Sequence, residues 1–255
     1  AIFKGGTALS KCYGLIERFS EDIDLVLLRK EEDTKNQLKN KLKELTNVVT
    51  EPFVEEDLEG ITNKMGMIRK VAYNYPKSFS GQFGQVRDRI IIEASWLGYH
   101  EPFSKKTISS YIYDMMVITK QTKIAEQFGL LPFEVLVLDV HRTLCEKIMS
   151  LVRFSYSENP IEDLNNKIRH IYDIHQLLKN DDIQKYFYSE NFDEMLLNIA
   201  NEDVESFKNN NEYLKKHPKD ALLFSEPKET WNKLKKTYQN SFKNLVFGEL
   251  PEGKN

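Results

Sequence analysis

The feature that most restricts what this 255-residue chain can become is a glycine pair set between an apolar entry and a helical pattern, followed soon after by two acids one residue apart. Ala1-Ile2-Phe3-Lys4 reads as the tail of a strand, an expectation under which the natural N-terminus lies upstream. Gly5-Gly6-Thr7 comes next, and Ala8, Leu9, Cys12, Leu15 and Ile16 then recur at helical spacing, which predicts a helix over about Thr7–Ile16. Ile23–Leu28 reads as a mostly apolar strand. Side chains two apart on an extended chain share a face, so Asp22 and Asp24 project together, with Ser20 beside them. Carboxylates held side by side repel unless cations neutralise them. Hard oxygen ligands at that spacing suit Mg²⁺, which keeps several waters and takes one or two carboxylates plus substrate phosphates. Upstream, the glycines let backbone approach a phosphate closely, and a helix start offers free N–H groups and a positive dipole end. Lys11, one turn into that helix, adds charge. Taken singly, an Asp-x-Asp pair fits a solvated strand face and a Gly-Gly fits a tight turn. The combination in this order is what points to a joint metal and phosphate site.

The remaining pattern supplies the scaffold. Thr34–Val48 is a lysine-rich amphipathic helix with Leu38, Leu42 and Leu45 as its buried stripe. Met67–Tyr75 and Arg87–Trp96 read as strands joined by a Pro/Ser/Gly-rich turn at Pro76–Gly84. After about Ser110 the texture becomes helical, interrupted by one strand at Phe133–Leu138. Arg142–Phe154 and Ile161–Leu178 are amphipathic helices, and the chain from about Asp182 is helical, broken at Pro218 and Pro227. A sheet-forming first half and a helical second half make an α+β protein of two lobes with a seam near residue 130.

Composition narrows the setting without naming a partner. A net charge of -3, with 40% hydrophobic and 29% charged residues, excludes disordered, collagen-like and coiled-coil chains. Any nucleic-acid contact must therefore come from a local patch. Two cysteines, Cys12 and Cys145, make no disulfide framework, no apolar run approaches the ~20 residues of a membrane span, and no signal peptide is visible. A cytoplasmic protein with no membrane association is expected.

Three blocks, Phe3–Leu28, Arg142–Ile148 and Arg169–Ile174, in that order, resemble the nucleotidyltransferase superfamily and within it the AbiEii/AbiGii toxin family of bacterial abortive-infection and toxin–antitoxin systems. The resemblance implies a polymerase-β-like nucleotidyltransferase lobe with a mixed sheet over residues 1–130, followed by a mainly helical lobe over 131–255 that contributes Lys147 and Asp173 to the site. It implies two-metal Mg²⁺ chemistry with a nucleoside triphosphate as co-substrate. Through the related MenT toxins it implies the 3′ end of tRNA as acceptor, and it implies a cognate antitoxin encoded nearby that need not form a stable complex. By position, the first motif falls on Gly5, Gly6, Ser20, Asp22 and Asp24, with Thr7 in the same turn; the later lysine falls on Lys147 and the later aspartate on Asp173. Arg169 and Arg18 become phosphate or structural contacts. In nucleotidyltransferases a third carboxylate comes from a neighbouring strand, and Glu93 is the candidate, because an unpaired acid within Arg89–Ser95 would be costly to bury. Its other reading is an ion-pair partner for Arg89 or Arg87. Lys147 could instead flank Glu146 on a solvent face, and Asp173 could pair with Arg169 at i,i+4.

Other features read as structure. His170 and His175 stand five apart on one helix, off the spacing of four that one-face zinc ligands require. Cys12 and Cys145 read as small buried hydrophobes. Lys228–Lys243 holds five lysines against Glu229, but Trp231, Leu234, Tyr238 and Phe242 form an ordinary core stripe beneath them. A Mg-dependent nucleotidyltransferase is thus set against a non-catalytic Mg–NTP (GTP) binding toxin or sensor that acts through protein contacts, and against a small-molecule (antibiotic) nucleotidyltransferase, which the Lys147 and Asp173 blocks disfavour.

Overall fold

The structure is a computed structural model that describes residues 1–20, 22–49, 52–77, 89–98, 101–206 and 212–253. Strand β1 (Ile2–Lys4) passes directly into helix α1 (Gly5–Lys11), and Gly5 makes that abrupt change with φ +77°, a conformation glycine enters without steric penalty. The helix stops five residues earlier than its apolar spacing predicts. Gly14, at φ +63°, breaks it, and Leu15 N–H reaches back to the Leu9 carbonyl. Strand β2 (Asp22–Val26) follows. Helix α2 (Lys35–Asn47) is launched by a capping box between Thr34 and Gln37. Its buried Leu38 and Leu42, worth roughly 1.5–3 kcal/mol each, pack on Leu27, Ala94 and Trp96 and so cover one face of the sheet.

Strands β3 (Val54–Glu56), β4 (Ile68–Asn74), β5 (Ile90–Ser95), β6 (Phe103–Ile108) and β7 (Phe133–Leu138) complete a seven-stranded mixed sheet in the order β3-β4-β5-β2-β1-β7-β6. The pairs β2–β5 and β1–β7 are parallel and the others antiparallel. Because β7 pairs with β1, the sheet runs past the seam expected near residue 130. Edge strands β3 and β6 escape the sequence reading because their glutamates and lysines are exposed and break the apolar alternation. Of the turn expected at Pro76–Gly84, residues 78–84 lie outside the described residues, as does Arg87.

Between β6 and β7 the chain forms a short helical arm, α3 (Tyr111–Ile118) and α4 (Thr122–Gln127). Helix α5 (Val140–Ser155), capped by Asp139 accepting from His141 N–H, buries ten residues and is the axis of the helical lobe. The single helix expected over Ile161–Leu178 is two, α6 (Pro160–Asn166) and α7 (Ile168–Leu177), meeting at Lys167. Helices α8 (Asp181–Phe187), α9 (Glu190–Ser206), α10 (Leu222–Ser225) and α11 (Pro227–Thr237) close around α5. Their shared core takes in Leu9 and Ile16 as well, so one hydrophobic unit ties the glycine turn to the helical lobe. The stripe Trp231, Leu234, Tyr238 and Phe242 belongs to this core. Among the described residues no helix is long and apolar enough to cross a membrane.

Candidate active site

Register builds the floor of the site. Lys4 lies opposite Asp24, Asp24 opposite Glu93, and Glu93 opposite Lys70, so four strands present a transverse row of Lys, Asp, Glu and Lys on one face. Lys70 Nζ reaches Glu93 Oε2 at 3.1 Å, while Arg89, the partner first considered for Glu93, pairs with Glu56. Asp22, two residues before Asp24, adds a third acid to the same face. Asp24 carries the consequence: burial first, then the charges of Glu93 and Asp22, push its carboxyl up to about 6, against the opposing pull of Lys4 and Lys147.

The glycine turn is fitted to those acids. A Cβ on Gly5 would stand 2.0 Å from Asp24 Oδ2, and one on Gly6 would stand 2.5 Å from Arg18 Nη2 and 2.8 Å from Ser20 Oγ. Bare backbone is required at both positions. Thr7 Oγ1 donates to the Asp22 carbonyl (2.6 Å) and lies 3.0 Å from Ser20 Oγ, stitching the start of α1 to the start of β2. Lys11 is occupied differently: its ammonium sits 3.1 Å above the Tyr111 ring, at the far end of α1 from Gly5.

Helices α5 and α7 supply the opposite wall. Asp173 is fully buried and accepts from Arg18 Nε and Nη2, both at 2.7 Å, and from Lys147 Nζ at 2.8 Å. Burial alone would raise its carboxyl, but Lys147 and Arg18 hold it well below the usual carboxylate range. Asp173 thus anchors two buried cations, and Lys147, itself buried, faces the cleft in front of it. The adjacent Glu146 is also turned inward. It bonds Lys4 (3.1 Å) and Arg142 (3.2 Å), and Arg142 continues to Glu202 on α9. Burial opposes the charge of both Lys4 and Glu146, yet their mutual attraction wins: Lys4 is raised and Glu146 lowered.

Between floor and wall lies a cleft of about 310 Å³, with Lys4, Gly5, Asp24, Glu93, Lys147 and His170 among its lining residues. Arg153 reaches it from α5. Lys167 is held below the usual lysine range by burial and by the charges of Arg153 and Arg169, so positive charge is crowded on the helical side. His170 is pushed well below its ordinary value by burial, then by Lys147 and Lys167, and its buried Nδ1 has no hydrogen-bond partner among the described residues. The cleft therefore carries both signs, with Lys4, Asp24 and Glu93 on the sheet and Lys147 and Arg153 among Glu146, Glu202 and Asp203 on the helices.

Of the residues singled out from sequence, Gly5, Asp24, Glu93 and Lys147 line this cleft. Asp22 adds charge beside it, Gly6, Thr7 and Ser20 form the turn beneath it, Asp173 stands one layer behind Lys147, and Arg169 sits half-buried one turn before Asp173. Lys4, Lys70, Glu146, Arg153 and His170 were missed. A signal for part of this set exists: Glu146, Ser150 and Arg153 recur at i, i+4 and i+7, a polar stripe on a helix otherwise buried. Among the described residues no three His, Cys, Asp or Glu side chains form a ready-made metal cage. A Mg²⁺ ion needs only one or two carboxylates, and Asp24, raised by burial and then by the charges of Glu93 and Asp22, makes with either neighbour a pair that fits one.

Over residues 1–252 the chain matches the family described as nucleotidyl transferase AbiEii toxin, type IV TA system. No curated protein matches it. Among solved structures it is similar to MenT4, a nucleotidyltransferase toxin of Mycobacterium tuberculosis H37Rv, with 13% sequence identity and a TM-score of 0.39, over 92% of this chain and 84% of that one.

Proposed function

Because the chain belongs to the AbiEii nucleotidyltransferase toxin family of type IV toxin–antitoxin systems, we propose that its cleft transfers a nucleoside monophosphate from a nucleoside triphosphate to an RNA acceptor, the 3′ end of a tRNA, with Mg²⁺ as cofactor. One observation carries this reading: Asp24, crowded by Glu93 and Asp22, and Lys147, fixed by Asp173, line one cleft together with Glu93 and Arg153. A magnesium–nucleotide carries the two signs needed.

Asp22, Asp24 and Glu93 would hold the metal. When bound, it supplies positive charge where negative charge develops on the transferring phosphoryl group and the departing pyrophosphate. The chain's own residues do the positioning. Lys147, pinned by Asp173, presents a fixed ammonium to the phosphates, and a cation already in place costs no reorganisation during reaction. Gly5 leaves Asp24 room to keep its carboxylate directed into the cleft. Arg153, which lines the cleft, suits a further phosphate of the triphosphate or of the acceptor backbone. The acceptor hydroxyl oxygen bonds the α-phosphorus and gives up its proton to solvent, the bridge to the β-phosphate breaks, and pyrophosphate leaves. A cognate antitoxin encoded nearby is expected to counter this activity, and a stable complex with it is not required.

The test is incubation of the protein with Mg²⁺, total RNA and each nucleoside triphosphate labelled at the α or the γ position. Alpha label on tRNA 3′ ends, no γ label, and loss of the α label in EDTA or in Asp22→Ala are expected. Nucleotide retained but never transferred would overturn the catalytic reading in favour of a binding one.

A further inference from the structure

The α3–α4 arm has no cover of its own. None of the eight residues of α3 is buried, although its sequence, Tyr-Ile-Tyr-Asp-Met-Met-Val-Ile, is apolar nearly all round, and in α4 only Ala125 is buried. A helix of that character is ordinarily enclosed. Tyr111, Met115 and Ile118 fall at i, i+4 and i+7, Ile124 and Phe128 lie one turn apart, and Phe133 begins β7 beside them. These six side chains are 41–81% exposed. At about 100 Å² each they present roughly 600 Å² of apolar surface, more than the ~450 Å² that is the apolar share of one side of a standard interface.

We infer that this arm is the interface of a homodimer, the occupant being the α3–α4 arm of a second copy. Area and charge admit that occupant. Between Ser110 and Pro132 the arm carries Asp114 and Glu126 against Lys120 and Lys123, and Lys11 of α1 sits over Tyr111, so the patch holds both signs. An isologous contact sets a patch against itself, so a patch of one sign would repel and a mixed one does not. The neighbouring edge of β6 is the opposite case: antiparallel pairing with its own copy would bring Lys105 and Lys106 together, so the contact runs through helices and not through the sheet. Two such helical pairs would bury their stripes as a four-helix bundle.

The arrangement leaves the cleft open. In the β6–β7 pair Phe103 meets Leu138 and Ile108 meets Phe133, while Phe3 of β1 pairs Val137. Lys4 therefore lies at the Leu138 end, and the arm leaves from the other.

Sedimentation of the full chain across micromolar concentrations tests this. Wild type is expected to show a mass of two chains that dissociates on dilution. Ile118→Glu, already 81% exposed and so harmless to the monomer fold, should weaken association by roughly 100-fold, because symmetry places the new charge in the contact twice. Leu197→Glu, on α9 and 63% exposed, should leave the dimer intact. A single-chain mass at every concentration, or a dimer that survives Ile118→Glu, would overturn the inference; either result is read without any measurement of nucleotidyl transfer.

Discussion

Asp24→Asn is expected to stabilise the metal-free protein while abolishing its activity. The carboxyl of Asp24 moves from 3.8 to about 6 on folding. That difference of about 2 units corresponds to about 3 kcal/mol, at roughly 1.4 kcal/mol per unit. The folded state holds this proton more tightly than the unfolded state. The penalty is therefore absent below pH 4, grows between pH 4 and 6, and is complete above. Asparagine keeps the shape and never ionises, so it escapes the penalty. Urea unfolding in EDTA should show the variant more stable by about 2–3 kcal/mol at neutral pH, the lower figure allowing for solvent screening of a half-buried group, and equal to wild type at the acid end of the window. Adding Mg²⁺ should close the gap by stabilising wild type alone, since a ligand that binds only the native state shifts its stability. Equal stabilities at both pH values, or a variant weaker at neutral pH, would refute the claim that unneutralised charge is concentrated on Asp24.

Further substitutions probe the other parts of the site. Asp173→Asn leaves Arg18 and Lys147 buried without their shared anion and is expected to cost roughly 3–5 kcal/mol, read as a lowered urea midpoint. Gly5→Ala places a methyl 2.0 Å from Asp24 Oδ2 at φ +77°; single-turnover transfer should fall by about 100-fold with the far-ultraviolet dichroism unchanged, and activity within tenfold of wild type would count against the close approach. Lys4→Met removes a cation beside Asp24 and Glu146, so calorimetry at pH 8 should find Mg²⁺ bound more tightly and the nucleoside triphosphate more weakly, each by on the order of tenfold. A change of the same sign in both affinities would contradict the assignment of Lys4 to the acidic floor.

Local signals in the chain were legible because they depend on local geometry. The Gly5-Gly6 break, the Asp22/Asp24 spacing and the α2 stripe of Leu38 and Leu42 each follow from φ, from the two-residue repeat of strands or from the helical repeat. What depends on register was not legible. Lys4 and Lys70 belong to the floor only because β1 and β4 align with β2 and β5 at particular residues, and no local pattern states that alignment. Glu93 was singled out because the resemblance calls for a third carboxylate on a neighbouring strand and it is the acid of an apolar one, which needs no register. Lys147 and Asp173 were found by resemblance. Read locally they suggested solvent-exposed pairs, because the buried partner that Asp173 takes, Arg18, lies 155 residues away in sequence. The edge strands β3 and β6 were hidden by their own charges.

The two lobes meet in a charge arrangement that is poor for stability on both sides. On the sheet, burial and then the charges of Glu93 and Asp22 raise Asp24; on the helices, burial and then Arg153 and Arg169 lower Lys167, and burial followed by Lys147 and Lys167 keeps His170 from protonating. The remedy for these shifts is not simple closure of the cleft. Acids and bases that compensate each other directly already do so nearby, in Lys4–Glu146, Lys70–Glu93 and the Arg18–Asp173–Lys147 cluster. Asp24 and Lys167, each shifted against its own charge, are held on different elements, β2 and the α6–α7 junction. A free anion would relieve the wall and aggravate the floor, and a free cation would do the reverse. A ligand with a cation at one end and phosphates at the other relieves both, and that pairing connects the instability of this cleft to the chemistry proposed for it.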